Sequence, residues 1–107
     1  MSIPILTMRD VEAMRLAGRA AAETLAHVAR ELRPGLSTAD VDALVRRHTA
    51  SLGGRPAQLG YHGFPAAVCT SRNEVVCHGI PRPEVLLEPG DIVNVDVTTE
   101  LGGFHGD

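Results

Sequence analysis

Asp96 and Asp107, both in the segment DIVNVDVTTELGGFHGD that closes the sequence, have a spacing that suits a two-stranded metal site. Val93, Val95 and Val97 alternate with Asn94, Asp96 and Thr98, the period-2 pattern of a strand with one apolar and one polar face. Glu100 to Gly103 reads as the turn. A hairpin that pairs Thr99 with Phe104 also pairs Thr98 with His105 and Asp96 with Asp107, so both carboxylates project from one face. Directly opposed Cβ atoms lie roughly 5 Å apart and like charges there destabilise a sheet, so the pair invites a shared proton or a cation. Carboxylate oxygens are the ligands of hard divalent ions. The spacing alone leaves two other outcomes open: both acids on a solvated strand face, or a slip or bulge that separates them.

The elements that must position these residues follow from periodicity and punctuation. Thr7 with Asp10 has the spacing of an N-cap and its acidic N3 partner. Val11, Met14, Gly18, Ala21, Leu25, Val28 and Leu32 then recur at helical steps, giving one apolar stripe down a helix of about 25 residues that Pro34 and Gly35 end. Gly18 lowers helix propensity, which is tolerable if another backbone packs closely there. Ser37 with Asp40 repeats the cap, and Val41, Leu44, Val45, His48 and Leu52 form a second stripe before Gly53 and Gly54. His27 and His48 lie within these helices and read as structural or surface residues. Beyond residue 54, glycines and prolines break the chain into candidate strands at Ala66 to Ser71, Glu74 to His78, Asp91 to Thr99 and Gly103 to Asp107. Helices followed by strands predict an α+β fold, with two N-terminal helices packed on a mostly antiparallel sheet.

Composition narrows the function classes. A chain of 107 residues fits one small domain. The net charge is −3, all ten cations are Arg, and no basic run could track a phosphate backbone, so nucleic acid is not expected as a partner. Cys69 and Cys77 are the only cysteines and fall in apolar extended stretches, which predicts buried free thiols in a reducing cytoplasm. No apolar segment approaches the roughly 20 residues of a membrane span, so no membrane association is expected. Ser2 is small enough for Met1 to be removed ahead of it.

Three segments, LGYHGFP (59–65), VCTSRNEVVCHGIP (68–81) and PGDIVNVDVTTELGGFHGD (89–107), together closely resemble the type I methionine aminopeptidases of the bacterial kind. MRLAGRAAAETLAHVARELRPGLST (14–38) resembles their opening helices, so the resemblance spans nearly the whole chain. It implies the pita-bread (creatinase/aminopeptidase-like) fold, whose two similar halves flank a sheet-lined cleft with two divalent ions, and removal of the initiator methionine of nascent chains. Residues 1–107 would be the N-terminal half of that catalytic domain, cut after Asp107, with the C-terminal half as its missing partner.

Residue by residue, the resemblance makes Asp96 a bidentate metal ligand and Asp107 the ligand that bridges both metals. His78 matches an imidazole beside the scissile peptide, which contacts the substrate or its tetrahedral intermediate. Tyr61, Phe64 and Cys69 match walls of the pocket for the methionine side chain; the family often has Tyr where Phe64 stands. Asn73 and Val75 match backbone-carbonyl contacts to a monovalent cation. Co, Mn, Fe or Zn would all accept the expected ligands, and such ions polarise a carbonyl and activate water near neutral pH. His62 and His105 lie beside glycines, with His105 on the expected face of Asp107. The family's remaining metal ligands, one His and two Glu, come from its second half, so this chain alone should have little activity. A non-catalytic module binding peptide N-termini or proteins is the alternative. Prolidase and aminopeptidase P are a third reading, but they lack the CHGIP stretch.

Overall fold

The computed structural model describes residues 2–107, so the expected loss of Met1 lies outside it. Helix α1 spans Met8–Glu31 and α2 spans Thr38–Ser51. Both capping boxes form. The Thr7 N–H donates to Asp10 Oδ2 at 2.9 Å and the Asp10 N–H to Thr7 Oγ1 at 3.2 Å. Ser37 and Asp40 exchange the same bonds at 2.8 and 3.0 Å, satisfying backbone donors that a helix start leaves free.

Short strands follow: β1 (Arg55–Pro56), β2 (Cys69–Arg72), β3 (Val93–Asp96), β4 (Thr99–Leu101) and β5 (Phe104–Gly106). They form two antiparallel sheets, β1-β4-β5 and β2-β3. The predicted α+β layout is therefore observed, with α1 lying on β4 and β5. Pro56 is tolerated because β1 is an edge strand. No helix among the described residues is long and apolar enough to cross a membrane.

The core gathers Val28, Val41, Val45, Ala67, Val68, Leu87 and Val97, with Leu32, Leu44, Val93 and Val95 packed around it. Each fully buried valine contributes about 1.5–3 kcal/mol relative to exposure. Along 93–99 the odd residues turn inward and the even ones outward, as the alternation predicts.

The buried stripe of α1 differs from the expected one. Ala17, Ala20, Ala21, Thr24 and Val28 are buried, while Met14 and Leu25 are 41% and 37% exposed. The reason is the close approach of β5. A Cβ on Gly106 would fall inside the backbone of Ala17 and Gly18, so only small side chains fit on this helix face. The backbone contact predicted at Gly18 exists, but Gly106 is the residue that must lack a side chain. His27 and His48 stack at 4.6 Å, and Thr24 Oγ1 lies 3.0 Å from His48 Nδ1, a structural role as expected.

Two strand expectations fail. Glu74 to His78 is a loop, because Asn73 takes φ +52 and its amide bonds Asp91 and Ile92, ending the β2 ladder. The long strand at Asp91 to Thr99 is split into β3 and β4 at Val97 and Thr98.

Candidate functional site

The hairpin that carries Asp107 closes two residues later than the sequence suggests. Leu101 faces Phe104, Glu100 faces His105 and Thr99 faces Gly106, around a two-residue turn of Gly102 and Gly103. Both glycines have positive φ, the requirement of a type I′ turn, so no longer loop is needed. The expected pairing of Asp96 with Asp107 is therefore corrected. Asp96 instead pairs with Cys69 across β2-β3, and Thr98 Oγ1 donates to Asp107 Oδ1 at 2.8 Å. An even shift preserves the faces, so Asp107 lies beside the residue two beyond Asp96 rather than opposite Asp96 itself. Both aspartates are exposed. Among the described residues, no three His, Cys, Asp or Glu side chains gather into a metal-binding group.

Next to these strands opens a cavity of about 740 Å³. Four residues named from the sequence line it: Tyr61, Phe64, Cys69 and His78. His62 and His105 join them. The sequence did not point to Ala57, Gln58, Ile80 or Thr98, which also line the cavity. Thr98 had a legible signal, since it shares the polar face of Asp96; Gln58 had none. The two aspartates stand at the border, Asp96 as strand partner of Cys69 and Asp107 as acceptor from Thr98.

Local backbone explains how these side chains reach one place. Gly60 has φ +83 and starts a single 3-10 turn at Tyr61–Gly63, which turns Tyr61 and His62 outward. Cys69 is buried on β2; burial pushes its thiol above the ordinary value, and the Asp96 carboxylate adds to the shift. Cys77, expected to be buried, is exposed because the loop that holds it is no strand. His78 is exposed with φ +54. Asn73 and Val75 lie at the start of the same loop, where the Asn73 N–H donates to the Ile92 carbonyl and the Val75 N–H to the Arg72 carbonyl.

A charged anchor holds the loop's origin. Asp91 accepts from Asn73 Nδ2 at 3.0 Å, from Arg72 Nε at 2.7 Å and from the Glu88 N–H at 2.7 Å. These bonds, Asn73's first, lower its carboxyl from 3.8 to about 2. The hydrogen bond to Asp91 in turn raises Arg72.

The model of metallopeptidase family M24 matches residues 12–107. The methionine aminopeptidase of Escherichia coli K12 is 50% identical over 113 residues, covering 100% of this chain and 41% of that protein. A crystal structure of methionine aminopeptidase from Rickettsia prowazekii superposes with a TM-score of 0.94 at 45% identity, covering 99% of this chain and 42% of the other. X-Pro aminopeptidase of Thermotoga maritima shares the fold alone, with a TM-score of 0.71 at 13% identity, over 90% of this chain and 25% of the other. The chain thus spans about 41–42% of the length of the methionine aminopeptidases it matches.

Proposed function

The chain belongs to metallopeptidase family M24 and is similar in sequence and pita-bread fold to bacterial methionine aminopeptidases, and we propose that it is the N-terminal half of such a catalytic domain, one that removes the initiator methionine of nascent proteins in the cytoplasm. The observation that carries this reading is one cavity lined by His78, Cys69, Tyr61 and Phe64, with Asp96 and Asp107 on the strands at its border.

Asp96 and Asp107 fit divalent ions in kind: both are exposed carboxylates, the donor type that hard ions take. They supply part of a donor set, and we assign them to two ions drawn from Co, Mn, Fe or Zn, completed by residues of the second half. The bound ions would supply Lewis acidity and an activated water. On its own, the chain should turn over little peptide.

The rest of the chemistry falls to this chain's side chains. Tyr61, Phe64, Ile80 and Cys69 wall an apolar space suited to an unbranched thioether. A high thiol pKa keeps Cys69 neutral, which preserves that apolar wall. His78, at the same cavity, donates a hydrogen bond to the developing oxyanion or to the peptide nitrogen. The carbonyls of Asn73 and Val75 are assigned to a monovalent cation that ties down the loop leading to His78.

Steady-state release of Met from a Met-Ala-Ser peptide with added Mn tests the reading in protein that carries both halves. His78→Ala should lower kcat by roughly two to four powers of ten. Turnover at an unchanged rate would remove His78 from the mechanism.

A further inference from the structure

His78 occupies a backbone conformation that a residue with a side chain adopts at a cost, and such strain persists only where neighbouring structure fixes it. The fixing contacts lie one residue on. The Thr70 N–H donates to the Gly79 carbonyl at 2.9 Å, and the Gly79 N–H donates to Ser71 Oγ at 3.1 Å. Gly79 sits so close to β2 that a Cβ there would fall inside the Thr70 carbonyl. Gly79 is thus pinned through both its backbone polar groups, one on each flanking peptide, to two consecutive residues of β2. Ser71 is only 5% exposed, so its hydroxyl is largely shielded from water, and a lost partner is replaced less easily there.

We propose that Ser71 is a positioning residue for the reaction: its hydroxyl holds the Gly79 peptide, and through it the left-handed turn that presents His78 to the cavity. This rests on the role given to His78 above. Cys69, two residues before Ser71 on the same strand, lines that cavity, so β2 carries both a wall of the pocket and the clamp for the imidazole. The Thr70 bond is backbone to backbone and survives substitution; the Ser71 bond depends on one oxygen atom. Removing that atom changes little volume, which separates the clamp from packing.

The test is Ser71→Ala in protein carrying both halves, read by kinetics and by NMR. The expected result is a fall in kcat of about ten- to a hundredfold, the scale of a misplaced reacting group, with KM within about twofold because the apolar pocket is untouched. The Gly79 amide should exchange faster, and the His78 amide-to-Hα coupling should leave its left-handed value. Protection of the Leu101 and Phe104 amides in the β4–β5 hairpin, which belongs to the other sheet from Ser71, should stay as it was. An unchanged kcat would overturn the proposal. So would a kcat loss that follows a matching loss of protection in that hairpin, since Ser71 would then act by packing. If His78→Ala turns over at full rate, the reading of the site fails instead, and the Gly79 and His78 NMR signals still decide whether Ser71 holds the turn.

Discussion

The α1 face against β5 and the loop against β2 are both places where the backbone of one element meets that of another, but they are secured differently. Gly106 enters a face of Ala17, Ala20 and Ala21, and the fit is steric. Gly79 is equally close to Thr70, yet its position is set by directional bonds to Thr70 and Ser71, with the Arg72–Asn73–Asp91 network behind it. The first region buries its residues. The second leaves His78, Cys77 and Val76 exposed, and the proposed role of His78 falls to it. A steric joint makes a rigid scaffold, whereas a hydrogen-bonded joint can present an exposed imidazole without burying it.

The largest effect should come from breaking the steric joint. Gly106→Val places a branched side chain inside the helix backbone and should cost about 3 kcal/mol of stability in denaturant unfolding, at the upper end for overpacking. A loss under about 1 kcal/mol would mean that the helix can move away and that the joint is not close-packed.

A smaller, local effect should come from Asp91. Its folded carboxyl lies at about 2 against an ordinary 3.8, so the stability it contributes is fully present above 3.8 and is lost as pH falls through about 2. In the unchanged chain the amide signals of Asn73 to Gly79 should shift together in that window while those of α1 hold still. Asp91→Asn should loosen the same amides at neutral pH and abolish the acid step. A step that α1 shares, or one that persists in Asp91→Asn, would erase the contrast between the two regions.

The contrast also sets what the sequence could reveal. Cap signals at Thr7 and Ser37 and the alternation of Val93, Val95 and Val97 are local patterns, and the structure keeps all of them. Tyr61, Phe64, Cys69 and His78, singled out through family resemblance, line one cavity. The buried face of α1 is not legible from apolarity, since Met14 and Leu25 are more apolar than Ala17 and Ala20; the deciding contact comes from Gly106, far along the chain. Register failed for a related reason. Only the left-handed tolerance of Gly102 and Gly103 fixes where the hairpin closes, and a two-residue shift leaves the face pattern unaltered. The loop at Glu74 to His78 has strand-like composition, and long-range bonds from Asn73 to Asp91 and Ile92 override it.

The most direct measurement on the site is a calorimetric titration with Mn of protein carrying both halves, comparing Asp96→Asn, Asp107→Asn and His78→Ala with the unchanged chain. Each Asp→Asn variant should weaken binding by more than roughly tenfold, the loss that even outer-shell partners of a metal can cause, and His78→Ala should bind as the unchanged chain does. Unaltered binding in both Asp→Asn variants would contradict the assignment of Asp96 and Asp107 to the metal ions.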